Sequence, residues 1–115
     1  MSSLHSVLGE LTPLPGVRGA LVVSRADGLV VADALREDVD GRAVAALAAS
    51  LADRMAGVTR ALGQPEPVAW QLVGSEGLLL AAPTREDLLV VVVADPAVNA
   101  GELRLRVLRA AERAA

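Results

Sequence analysis

Leu88-Leu89-Val90-Val91-Val92-Val93-Ala94 is an unbroken apolar run between two polar breaks, Thr84-Arg85-Glu86-Asp87 before it and Asp95-Pro96 after it. It is too short for a solitary helix and rich in β-branched side chains, so it reads as a strand. A strand with one wet face alternates apolar and polar residues, whereas this run carries no polar side chain on either face. Both faces are therefore expected to be covered, as in the central strand of a sheet sandwiched by helices.

Working outward, Leu78 to Ala82 is another apolar strand, joined to the central run through Pro83 to Glu86. Before it, Val68 to Val73 sets Val68, Trp70 and Leu72 on one side and Gln71 on the other, the pattern of an edge strand, and Gly74-Ser75-Glu76-Gly77 supplies the turn. Successive short connections imply an antiparallel meander. On the far side of the central run, Asn99 and Glu102 have the spacing of a capping box. Leu103, Val107, Ala110, Ala111 and Ala114 then form the inner stripe of a final helix, with Leu108 at its margin and Arg104, Arg106, Arg109, Glu112 and Arg113 facing water.

The N-terminal half supplies the remaining elements. Ser3 is placed to cap a short helix whose Leu4, Val7, Leu8 and Leu11 form one stripe, ended by Pro13 and Pro15. Val17 to Ser24 and Leu29 to Leu35 flank Arg25-Ala26-Asp27-Gly28, and Asp-Gly favours the positive φ values of a tight hairpin turn. Asp40 is available to cap a long helix from about Arg42 to Leu62. Its Val44, Leu47, Ala48, Leu51, Met55, Val58 and Leu62 recur every three or four residues and are expected to meet the sheet. The opposite face presents Ala45, Ala46, Ala49, Ser50, Asp53, Ala56, Gly57 and Arg60. Such small side chains suit close approach of another helix or a partner, although Ala is also simply a good helix former.

A chain of 115 residues fits one domain, here 1–115, with a single core. That core must come from 22 Ala, 19 Leu and 17 Val, because Phe, Tyr and Ile are absent and Trp70 is the only aromatic residue. A net charge of -3, with no stacking aromatics, argues against a nucleic-acid surface, which needs a basic stripe. The absence of Cys excludes a disulfide framework and is consistent with a reducing cytosol. No apolar run approaches the roughly 18 residues of a membrane span, and no charged segment precedes an apolar signal core at the start. A soluble cytoplasmic protein without membrane insertion is expected.

For covalent chemistry the residues exclude more than they support. All 11 basic residues are Arg. Without Lys there is neither a Walker phosphate loop nor a Schiff base, and without Cys no thiolate nucleophile. His5, the only imidazole, lies in a terminal helix and reads as a surface residue. Asp38-Val39-Asp40-Gly41 superficially suggests a calcium loop, yet Gly41 falls at the fourth position rather than the sixth, and the twelfth holds Ala49 instead of Glu. Asp27-Gly28 reads as a turn, Asp95 as a strand end or cap, and Trp70 as packing in a core or subunit contact. No catalytic, cofactor or metal residues are expected.

The order helix, hairpin, long helix, meander, helix is joined by specific wording. Leu14-Pro15-Gly16-Val17-Arg18-Gly19-Ala20-Leu21-Val22-Val23-Ser24-Arg25, then Asp27-Gly28-Leu29-Val30-Val31-Ala32, and Leu89 to Pro96 leading into Asn99-Ala100-Gly101 resemble the Roadblock/dynein light chain domain, in particular its short bacterial MglB-like members. The resemblance implies an α+β fold of order α-β-β-α-β-β-β-α. Its five-stranded antiparallel sheet, order 2-1-5-4-3, lies between one long helix and two terminal helices. It also implies a homodimer with third strands paired edge to edge and second helices packed together, through Ala46, Ala49, Ser50, Asp53, Val68, Trp70 and Leu72.

Members of that family bind Ras-like small GTPases as regulators or serve as adaptors. MglB-type homodimers press on the GTPase's switch loops rather than insert an arginine finger. Such an action requires different affinities for the two switch states. The resemblance implies a partner surface on the second helix at Arg42, Ser50, Asp53, Arg54, Gly57 and Arg60, without separating the face used for a second copy from the face used for a GTPase. The C-terminal extension of some MglB proteins has no counterpart here, so activity that depends on such a tail is not expected. Two other readings stand beside this one: a passive dimeric scaffold linking signalling or transport proteins, and a small-ligand sensor, which would need a polar-lined internal pocket.

Overall fold

The computed structural model describes residues 2–114, with side chains from Leu4 onward. Its elements are α1 (Ser2–Leu11), β1 (Val17–Ser24), β2 (Val30–Leu35), α2 (Gly41–Ala61), β3 (Trp70–Val73), β4 (Leu78–Pro83), β5 (Leu88–Ala94) and α3 (Ala100–Arg113). One sheet runs in the order β2-β1-β5-β4-β3, antiparallel throughout, as expected. Ser3 falls within the first turn of α1 and not before it; its side chain lies outside the described residues. No helix among the described residues is long and apolar enough to cross a membrane.

The apolar run lies at the centre of this sheet. β5 pairs with β1 from Val17–Ala94 to Ser24–Leu88 and with β4 from Leu78–Ala94 to Pro83–Leu89. Because successive strand side chains point to opposite faces, Val90, Val92 and Ala94 enter one core while Leu89 and Val91 enter the other. Val91 and Val92 are fully buried. Each such side chain removed from water contributes about 1.5–3 kcal/mol, which is why one strand can organise two layers.

The first core joins the sheet to α1 and α3 through Val7, Leu8, Leu11, Leu103, Val107, Ala110 and Ala111. The predicted inner stripe of α3 is buried throughout, and Asn99 caps the helix, its Oδ1 accepting from the Glu102 N–H at 3.0 Å. The second core, beneath α2, is thinner and built from Leu21, Val23, Ala81, Leu89 and Val91 against Ala45, Ala48, Ala49 and Ala52.

This second core corrects the expected orientation of α2. Ala45, Ala48, Ala49 and Ala52 meet the sheet, whereas Leu47, Val58 and Leu62 are exposed and Val44, Leu51 and Met55 are half-buried at the helix flank. Small side chains let the helix settle close to β1 and the β1–β2 hairpin. Gly28, with φ +72°, lies so near that a Cβ on it would stand 3.2 Å from the Ala46 Cα. A helix turned the other way would insert Leu47, Leu51 and Val58 into that narrow gap.

The hairpin forms where expected, with a loop one residue longer than Arg25-Ala26-Asp27-Gly28. Only Gly28 of the Asp27-Gly28 pair is left-handed. The Gly28 N–H donates to Ser24 O at 2.8 Å, the Ser24 N–H to Leu29 O at 2.9 Å, and the Leu29 N–H to Asp27 Oδ1 at 3.2 Å. The loop is thus longer than Asp-Gly alone suggests, and β2 begins at Val30. Likewise β3 starts at Trp70, leaving Val68 in the linker that precedes it.

Candidate protein-interaction surface

Asp40 starts α2: its Oδ1 accepts from the Ala43 N–H at 3.1 Å, satisfying a donor that the first turn leaves free. From there the spacing of 3.6 residues per turn sorts the side chains into three faces. Ala45, Ala48, Ala49 and Ala52 lie on the sheet. One flank carries Val44, Leu47, Leu51, Met55, Val58 and Leu62, recurring at three or four residues. Leu47, Val58 and Leu62 on this flank are 65%, 56% and 69% exposed. The other flank, next to Gly28, carries Arg42, Ala46, Ser50, Asp53, Gly57 and Arg60.

An apolar stripe of this length on a free helix is unusual, because exposed large apolar patches mark contacts with other molecules. The sheet carries a second apolar row. Leu72 pairs with Leu79 and Leu79 with Val93, a lateral row on the α2 side of three neighbouring strands. Leu79 and Val93 are half-buried and Leu72 is 58% exposed. Val44, Trp70 and Leu79 all pack at the margin of the second core. Helix stripe and sheet row therefore border the same core.

The two sheet edges differ in kind. β2 carries Asp33 within the strand, and Arg36 and Glu37 follow directly; such charges discourage pairing with another chain. β3 reads Trp70-Gln71-Leu72-Val73, has no charge, and bonds only to β4. Its outer N–H and C=O groups are open to another strand.

Among the residues expected at a dimer interface, Ala46, Ser50, Asp53, Val68 and Leu72 are exposed and Trp70 is half-buried. Ala49 is different. It is 6% exposed and packs into its own chain's second core, so it belongs to the fold and not to an outer contact. Among the expected partner-binding residues, Arg42, Ser50, Asp53, Arg54 and Arg60 are exposed and Gly57 is half-buried. Arg42 lines an open groove of about 680 Å³ with Asp27, Gly28, Leu29 and Ala46. Arg54 stands on the outer ridge between the two flanks.

Leu47, Val58 and Leu62, which periodicity assigned to the sheet, are exposed, and Leu51 is half-buried. Periodicity could not expose the error, since both faces of α2 are apolar; side-chain size was the available signal.

No group of three or more His, Cys, Asp or Glu among the described residues could hold a metal. Asp38 pairs with Arg18 and Asp40 caps α2, so the two acids of the superficial calcium motif have structural partners. His5 is exposed on α1. No polar or charged side chain among the described residues is buried, which gives a small-ligand sensor no polar-lined interior.

Known proteins share this architecture. A family model for the Roadblock/LC7 domain matches residues 4–94, that is, from α1 through β5. The uncharacterized protein MJ1340 of Methanocaldococcus jannaschii is 34% identical over 110 residues, covering 96% of this chain and 95% of that protein. Among solved structures, Myxococcus xanthus MglB superposes with a TM-score of 0.87 at 21% identity, covering 96% of this chain and 90% of that one. The gliding protein MglB of Thermus thermophilus gives a TM-score of 0.87 at 25% identity, covering 98% and 86%. With the family model spanning every strand of the sheet and the M. jannaschii relative matching nearly end to end, the chain belongs to the Roadblock/LC7 domain family and is MglB-like.

Proposed function

We propose that this chain is a homodimeric regulator of a Ras-like small GTPase, acting through the GTPase's switch regions without catalytic residues of its own. The observations that carry this reading are the exposed Leu47, Val58 and Leu62 on one flank of α2 and the apolar Leu72–Leu79–Val93 row beside the uncharged free edge of β3, both at the margin of the second core. A two-fold pairing of β3 edges brings two such flanks together and covers both. A specific interface of this kind buries about 1,600 Å² in total.

With the apolar flank turned to a second copy, the polar flank stays free. Arg42, Ser50, Asp53, Gly57 and Arg60 there, and Arg54 on the ridge, form the surface offered to a GTPase. A dimer presents it twice across the symmetry axis. Binding alters hydrolysis only if it favours one arrangement of the switch loops over the other. The family resemblance supports the GTPase as partner.

The direct test mixes the purified chain with a Ras-like small GTPase from the same genome and follows phosphate release. Faster release that is lost in Asp53→Arg and Arg54→Glu is the expected result. Stable binding at an unchanged rate would replace regulation with a scaffold role, and no binding to any such GTPase would overturn the reading.

A further inference from the structure

Between Ala61 and Trp70 the chain forms neither helix nor strand, yet this linker sets where the free edge of β3 lies. Its centre is stiff. Pro65 has a fixed φ, and Pro67 drives Glu66 toward extended backbone, so the Glu66 side chain has a narrow range of directions. The Glu66 carboxylate forms an ion pair with the guanidinium of Arg25, the residue that follows β1.

Arg25 is placed to hold two segments at once. Its backbone N–H donates to Asp87 O at 3.0 Å, in the β4–β5 turn, while its side chain reaches the linker. The Arg25 side chain is only 15% exposed and that of Glu66 46%. Pro67, Val68, Pro83 and Leu108 line the same crevice, of about 360 Å³. A guanidinium shielded in this way is less screened than one on an open surface.

The strand held by this linker needs such help. β3 pairs with β4 only from Trp70–Ala81 to Val73–Leu78 and has no partner on its other side. Short edge strands with few ladder bonds open locally at low cost.

We propose that the Arg25–Glu66 ion pair is a positioning device for self-association: it pins the α2–β3 linker to the hairpin and so holds β3 in the extended geometry that a second copy pairs with. This rests on the homodimer reading above. Without the pin the layers and both cores persist, but β3 is competent for pairing a smaller fraction of the time. The apparent affinity falls by that fraction.

The experiment compares Arg25→Glu, Glu66→Gln, Glu66→Arg and the swap R25E/E66R with the unaltered chain. Amide hydrogen exchange over residues 64–73 and the dimer dissociation constant by sedimentation are read on each, with exchange in β5 as the control for folding. Each single variant is expected to speed exchange in 64–73 and raise the dissociation constant by about three- to tenfold, the span between exposed and half-covered charged pairs, with β5 unchanged. The swap is expected to recover both readouts. Exposed Glu66→Gln removes only a charge and keeps the test valid if the Arg25 variant fails to fold. A dimer indifferent to the single variants, or a swap that recovers nothing, would overturn the ion-pair role alone. An unaltered chain that stays monomeric would overturn the homodimer reading and this role with it.

Discussion

Gly28 stands directly over Ala46: a Cβ added to the glycine would lie 3.2 Å from the Ala46 Cα and 3.5 Å from the Ala49 Cβ. That proximity seats the α2 backbone at Ala46 and the small Ala49 side chain against the hairpin, while Leu47, Val58 and Leu62 lie on the outer flank. The glycine meets a second demand, a φ of +72° that closes the hairpin. Gly28→Ala is therefore expected to cost about 1–3 kcal/mol from backbone strain alone, with the helix pushed outward as well. Urea denaturation of the two proteins checks this.

A charge at Ala49 and a charge at Leu47 are expected to act in opposite ways. Ala49 packs against the second core, so Ala49→Glu buries an unpaired carboxylate and destabilises the fold by about 3 kcal/mol or more. Leu47 is open in the single chain, so Leu47→Glu leaves the fold of one protomer within about 0.5 kcal/mol. Circular dichroism melts at high dilution separate the two.

Helix capping offers a third test. Asp40 and Asn99 each accept a hydrogen bond from an N–H of the first turn, at 3.1 Å and 3.0 Å. Replacing either by Ala is expected to cost about 0.5–2 kcal/mol, and replacing both roughly the sum, because the caps serve different helices on opposite faces of the sheet. Chemical denaturation midpoints measure this.

The central strand sets the scale for packing. Leu89 is fully buried beneath α2, so Leu89→Ala leaves a cavity and is expected to cost about 2–5 kcal/mol. The same truncation at Leu62, on the open flank, should leave the stability of one protomer within about 0.5 kcal/mol. Equal costs at the two positions would contradict the assigned rotation of α2.

Much of this was legible in the residues. The run Leu88 to Ala94 announced a doubly covered strand, Val17 to Leu35 a hairpin, and Asp40 and Asn99 the starts of two helices; all stand in the structure. The rotation of α2 was not legible. Hydrophobic periodicity assumes that the apolar side faces inward, and this helix is apolar on two sides. Which side meets the sheet depends on the gap above β1 and the hairpin, a distance set by Gly28 and not by α2 itself. The same reason moved Ala49 from the outer contact into the core and brought Leu47, Val58 and Leu62 out. The hairpin loop escaped for a smaller cause: Asp27 uses its carboxylate on the Leu29 N–H instead of adopting a left-handed backbone.

Sedimentation equilibrium of the unaltered chain beside Leu47→Glu and Leu72→Arg bears most directly on the apolar flank of α2 and the β3 edge as one self-association surface. Twice the mass of one chain for the unaltered protein, falling to a single chain in both variants with helix content retained, is the predicted result. A monomer at every concentration, or dimers of undiminished strength in both variants, would contradict it.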